Sequence, residues 1–188
     1  MGFEDETWWS RVARPALHAW SGDGPPRLAE VTVPRDDPDP KALACYGLLV
    51  RSGDDVPEEL WLRFVAGRPV STVTELFLAW CCAVLAAAGK TTLVLIWDNA
   101  AWHTSAAVRT WLGEHNRAAH RTGGVRIVPC LLPVKSPWLN PIEPKWVHGK
   151  RRVVEPSRLL TARELDERVC AAFACSPCDH LSIPQEVA

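Results

Sequence analysis

One methionine and one tyrosine stand among 188 residues, and neither sign of charge prevails: 21 Lys and Arg face 22 Asp and Glu, for a net charge of −1. A chain this close to neutral lacks the overall basic field of a non-specific nucleic-acid binder, so any phosphate contact has to come from local clustering. The longest apolar run, residues 77–88, falls short of the roughly 18 residues that a membrane span needs and reads as a buried helix. No basic start followed by an apolar stretch opens the chain, which argues against a secretory signal and makes the cytoplasm the expected compartment. Seven cysteines, an odd number without such a signal, indicate free thiols rather than a disulfide framework. Cys175, Cys178 and His180, with distant Cys170 as a fourth donor, form the one cluster with zinc chemistry. No partner pair at finger spacing accompanies it, and free thiols are the preferred reading.

What the chain does have is 47% hydrophobic residues and ten tryptophans, enough for one domain with a sizeable core. Most of those tryptophans are expected in the core or at interfaces rather than as base-stacking platforms. Glu4, Asp5 and Glu6 lie in a first strand. Residues 11–40, rich in proline and short apolar alternations such as 16–20 and 28–33, read as strand and hairpin. Residues 41–50 and 60–66 are further strands, closing an antiparallel meander on short turns. The rhythm then changes to helix 71–88 (cap Ser71 or Thr72, stop Gly89), strand 91–98, helix 105–121 ended by Gly123-Gly124, and strand 125–132. Helices follow at 143–154 and 161–174, the last opened by a capping box, Thr161-Ala162-Arg163-Glu164. A meander followed by alternating helix and strand is an α/β fold with a mixed sheet and helices on its faces. No internal repeat is present. Gly89-Lys90-Thr91 mimics the end of a phosphate-binding loop, but Val84 stands where that loop needs glycine.

Three acids stand where chemistry is plausible. Asp98 ends the apolar run Leu93-Val94-Leu95-Ile96-Trp97, at the carboxyl edge of a sheet where open α/β folds bind ligands. Glu143 enters a helix through the prolines of Ser136-Pro137-Trp138-Leu139-Asn140-Pro141-Ile142-Glu143-Pro144. Asp5 points opposite to Glu4 and Glu6 on an alternating strand, so one face offers a single carboxylate; Glu4 or Glu6 remain alternatives for the role. Each acid also has a plain structural use, as turn former at Asp98 and first-turn helix acid at Glu143. Lys135, Lys145, Lys150, Arg151 and Arg152 flank Glu143, where they are either a solvated helix face or a track for a phosphate backbone.

Asp5-Glu6 before two tryptophans, Asp98-Asn99-Ala100 with His103, and the stretch from Ser136 through Glu143 to Trp146 together resemble the DDE catalytic domain of bacterial mariner-type insertion-sequence transposases, in the ribonuclease H-like superfamily. The resemblance covers residues 3–160. It implies a ribonuclease H-like domain over residues 1–160, with residues 161–188 as its C-terminal helix and tail. It also implies that Asp5, Asp98 and Glu143 hold two Mg2+ (or Mn2+) ions for DNA cleavage and strand transfer. Magnesium takes oxygen ligands and keeps several waters, so carboxylates suffice. Like charges at 4 Å repel by about 4 kcal/mol at an effective dielectric of 20, so the acid pKa values should be raised without metal. Asn99, His103, Ser136 and Asn140 take supporting or phosphate-facing roles. DNA, both transposon ends and target, is the implied partner, engaged by a homodimer. The helix-turn-helix modules of relatives have no counterpart here, which points to a separately encoded polypeptide, a frameshifted fusion, or no specific recognition. The spacing from Asp98 to Glu143 exceeds that of eukaryotic relatives, with residues 116–124 the expected insertion. The rival readings are a non-catalytic remnant that folds and binds DNA weakly, and a free-standing nuclease.

Overall fold

The computed structural model describes residues 1–12, 31–53, 55–153 and 158–183. Five strands form one sheet: β1 (Gly2–Ser10), β2 (Ala42–Val50), β3 (Glu59–Val65), β4 (Thr92–Trp97) and β5 (Arg126–Leu131), in the spatial order β3-β2-β1-β4-β5. The β1-β2 and β2-β3 pairs are antiparallel, whereas β4 runs parallel to β1 and β5 parallel to β4. The expected mixed sheet is therefore present. Strand β2 is covered on both faces, which is why its sequence is almost continuously apolar.

Helices α1 (Ser71–Ala87) and α2 (Ala106–Thr122) pack on one face, α3 (Glu143–Val153) and α4 (Ala162–Ala172) on the other. Strand alternation divides β2 between these layers: Ala44, Tyr46 and Leu48 face α1 and α2, while Leu43, Cys45 and Leu49 face α3 and α4. On the second face Trp9, Trp146 and Phe173 meet edge to face with centroids 5.8–6.2 Å apart. Gly149 of α3 makes this possible, because a Cβ there would stand 2.8 Å from Trp9 Cη2. No helix among the described residues is long and apolar enough to cross a membrane.

Several local expectations need correction. Residues 31–40 form turns and irregular chain rather than strand and hairpin; 13–30, including the 16–20 alternation, lie outside the described residues. The β1-β2 connection is accordingly long, not a short turn. Its end is held by Arg11, 2% exposed, whose guanidinium makes a two-pronged bond to Asp37 (2.9 and 3.0 Å) and whose Nε donates to the Leu160 carbonyl at 2.7 Å. The proline-rich stretch thus spends its acids on a buried cation instead of pairing as strands. Helix α1 is preceded by Val70 without a side-chain cap, neither Ser71 nor Thr72 serving, because Ser71 bonds Ser105 instead. The capping box of α4 is formed in both directions, and Gly123 takes the left-handed conformation (φ 76°) that stops α2. Residues 116–122 form the last turns of α2, as the helix expected over 105–121 required.

Candidate active site

Strand β1 carries its three acids into the middle of the sheet, and alternation separates them. Asp5 shares the side of Phe3 and Trp9, towards α3; Glu4 and Glu6 face the other way. Gly2 pairs with Leu95 and Phe3 with Ile96, and beyond the end of that short ladder Asp5 and Asp98 line one cleft. Glu143 opens α3, and one turn later on the same helix Trp146 donates its indole N–H to Asp5 Oδ2 at 2.8 Å. The indole reaches Asp5 by lying over Gly47, the residue paired with Asp5 in the β1-β2 ladder; a Cβ at Gly47 would overlap Trp146 Cη2.

The loop before α3 is fixed by Asn140, 2% exposed, whose Nδ2 donates to the Glu4 carbonyl at 2.8 Å. The side chain of Asn99 donates to the Leu132 carbonyl at 2.6 Å and so ties the exits of β4 and β5 together. Ser136 caps nothing with its hydroxyl; with Lys135, Asp98 and Asn99 it lines a cleft of about 340 Å³. A second cleft, about 430 Å³, is lined by Asp5, Glu6, Trp8, Arg68, Asp98 and Trp102. Two of the three acids therefore open on it, and Asp98 belongs to both.

The electrostatics follow from burial and neighbours. Burial raises the Asp5 pKa to about 7, aided by the nearby Glu143 charge and opposed by the Trp146 hydrogen bond. Glu143 is also raised, by burial first; Lys150 opposes this and Asp98 adds to it. Asp98 is lowered, chiefly by its hydrogen bond with His103. Two of the three acids are therefore raised, as like charges and burial predict, while Asp98 departs from that expectation because His103 bonds it.

His103 lies in the turn before α2, capped itself by Ser105, and is 2% exposed. Its Nδ1 is 2.9 Å from Asp98 Oδ1, its Nε2 2.9 Å from Glu6 Oε1, and its ring stacks on Trp97 at 4.6 Å. Burial works to lower its pKa, but Glu4, together with the bonds to Asp98 and Glu6, raises it to about 11. Both ring nitrogens lie against carboxylate oxygens, an arrangement that favours the protonated ring, and the ring is buried away from the surface. Nε2 is also 3.2 Å from Glu4 Oε2, yet out of line for a hydrogen bond, leaving both Glu4 oxygens without one. Burial and then Glu6 push the Glu4 pKa well up. Among the described residues Glu4, Glu6 and His103 are the donors gathered within 4.8 Å of one another. This trio, a histidine held between two glutamates, is separate from Asp5, Asp98 and Glu143, whose donors are all oxygen, the ligand type that magnesium and manganese take. Sequence reading missed that Glu4 and Glu6 serve His103; their spacing on one strand face was the available signal.

Of the basic residues, Lys145 pairs with Glu58 at 3.1 Å, and Lys150 sits over the Trp9 ring at 5.9 Å. Arg151, Arg152 and Lys135 are exposed. All seven cysteines are free. Cys170 and His180 both contact Asp166, at 3.3 and 3.1 Å, while Cys178 turns to its own loop.

Residues 64–166, more than half of the chain, match the model of the DDE superfamily endonuclease family; Asp98 and Glu143 fall inside the match and Asp5 before it. Solved structures with the same fold include the Mos1 transposase paired-end complex with the left transposon end (16% identity, TM-score 0.64). The Mos1 mariner paired-end complex with Mn gives the same figures, and the Mos1 strand transfer complex 17% and 0.61. Each match covers 93% of this chain but only 47–48% of the Mos1 chain, so this chain spans about half the length of those proteins. Comparison with curated proteins gives no match.

Proposed function

Because the chain belongs to the DDE superfamily endonuclease family, we propose that it is the catalytic domain of a transposase that cuts DNA and joins the cut end to a target. This reading is supported by Asp5 and Asp98 lining one cleft and by Glu143, whose charge acts on Asp5 and which opens α3 one turn before the Trp146 that bonds Asp5. Asp5, Asp98 and Glu143 would hold two Mg2+ or Mn2+ ions, which would supply activation of the attacking oxygen and charge neutralisation at the leaving one. The chain's own residues hold the frame. His103 fixes the Asp98 carboxylate, Trp146 fixes Asp5, and Asn140 anchors the loop that delivers Glu143. Lys135, Arg151 and Arg152, with Lys145 and Lys150 nearer the core, offer charge to the phosphates beside the scissile bond. Water attacks first to free a 3′-hydroxyl, which then attacks the target, TA being the preference implied by resemblance.

In this reading residues 1–160 are the catalytic domain and 161–188 its C-terminal helix and tail. The protein is a cytoplasmic enzyme of bacterial insertion-sequence type, working as a homodimer on transposon ends with recognition supplied by a helix-turn-helix polypeptide. The test is nicking of supercoiled DNA with Mg2+ or Mn2+. Wild type should nick and transfer to a second DNA, and Asp98→Asn should do neither. Wild-type nicking without transfer would instead identify a nuclease, and no nicking a remnant.

A further inference from the structure

The end of the sheet away from the acids carries a second charged feature. Arg117, His120 and Arg121 recur at i, i+3 and i+4 on α2, and Arg126 opens β5 just past the Gly123 turn. Arg117, His120, Arg121 and Arg126 line one cleft of about 560 Å³ whose floor includes Ile127, and no acid lines it. All four are exposed, and among the described residues none has a carboxylate in ion-pair range. Some arginines of this chain are paired, Arg51 with Glu58, Arg158 with Glu164 and Arg163 with Glu167. The walls are fixed, because Asn116 spends both ends of its amide on Ile127, accepting from its N–H at 2.7 Å and donating to its carbonyl at 2.8 Å. The negative end of the α2 dipole accounts for His120 and Arg121 in its last turn, but not for Arg117 a turn earlier or Arg126 on the strand.

We propose that this cleft binds a phosphodiester backbone, that of the duplex flanking the bond cut at the acid site. The inference rests on the reading of the acids given above. Strand β5 rises about 3.3 Å per residue, so its length from Arg126 to Leu131 sets the cleft roughly 17 Å from the acid end, about five base pairs of duplex. Guanidinium forks match phosphate oxygens two at a time, and unpaired exposed arginines lose no internal partner when they bind.

The test is fluorescence anisotropy of the full chain with a duplex of about 30 base pairs over a salt series. Each phosphate contact contributes about 0.9 to the slope of log affinity on log salt, so replacing Arg117, Arg121 and Arg126 together by Gln should lower that slope by between 2 and 3. Between 50 and 200 mM salt the variant should lose about 40-fold less affinity than wild type. The matching triple Lys variant keeps the charges and should keep the slope, which separates charge loss from misfolding, and both variants should melt with wild type. An unchanged slope in the Gln variant overturns the proposal. So does polyglutamate competing as well per charge as DNA, which would assign the cleft to an acidic protein. If wild type fails to nick while the slope difference persists, the reading of the acids falls and the cleft stands. If Asp98→Asn abolishes nicking while the Gln variant keeps the wild-type slope, the cleft falls and the acids stand.

Discussion

Substituting Gly47 by Ala tests the whole arrangement at the acid end with one methyl group. Gly47 pairs with Asp5 across β1 and β2, and the added Cβ would meet Trp146 Cη2 in overlap, Cζ2 at 2.7 Å and Ile142 Cδ1 at 3.0 Å. Carbon atoms settle at about 3.5–4.0 Å, so the indole has to retreat by about 1 Å. Behind it stand Trp9 and Phe173, edge to face at 6.2 and 5.8 Å, which leave no slack. The retreat opens the 2.8 Å hydrogen bond from Trp146 to Asp5. Overpacking costs about 1–3 kcal/mol and the lost bond to a partly charged acceptor about 1–2, offset by about 0.5–1 for removing a strand glycine. The net is a loss of about 1–4.5 kcal/mol, which for a domain of this size lowers Tm by about 2–18 °C. Thermal unfolding of Gly47→Ala, Trp146→Phe and the double variant measures it. Phenylalanine removes both the overlapping ring and the donor, so the two changes should be non-additive by at least about 1 kcal/mol. A Tm for Gly47→Ala within about 1 °C of wild type, or strictly additive changes, would refute the reasoning.

Three further outcomes follow from the same geometry. The Asp5 carboxyl is raised from its ordinary value to about 7, so its contribution to stability is complete below that ordinary value and is lost as pH rises through about 7, where a cation can replace the proton. Stabilisation by Mn2+ in thermal unfolding should therefore be small at about pH 6 and approach 2.7 kcal/mol at a hundredfold excess over Kd by about pH 8; equal shifts at both would count against Asp5 as a ligand. Replacing His103 by Ala strips the partner from Glu4, Glu6 and Asp98 and should cost about 3–5 kcal/mol in denaturant unfolding, less at acid pH where those carboxyls take up protons. A loss under about 1 kcal/mol would show that the ion cluster is not needed for folding. Arg11→Lys gives up the two-pronged bond to Asp37 and the Nε bond to Leu160, and should cost about 2–4 kcal/mol with faster amide exchange at Leu160; unchanged exchange there would rule out the clamp.

Much of this architecture is legible in one dimension because its signals are local. The apolar run before Asp98, the capping box at Thr161 and the glycine after α2 each act through neighbours within a turn or a strand. Alternation along β1 separated Asp5 from Glu4 and Glu6, which is as far as a period of two can go. It could not say what lies across each face. The role of Arg11 was hidden among prolines because its partners stand 26 and 149 residues away. The α2 cations were passed over because Arg126 joins them only across a turn, while the charges beside Glu143 drew notice by being contiguous.

The sequence by itself determined the mixed sheet, the order of most of its elements and the placing of Asp98 and Glu143 at element ends, since periodicity, caps and motif spacing are short-range properties of the chain. Tertiary structure alone decided that Asp5 and Asp98 share a cleft, that a missing side chain at Gly47 admits Trp146 to Asp5, and that His103 is buried among carboxylates. Those are contacts between segments 40 to 140 residues apart, and only packing, which prices every atom against its neighbours in space, can choose among them.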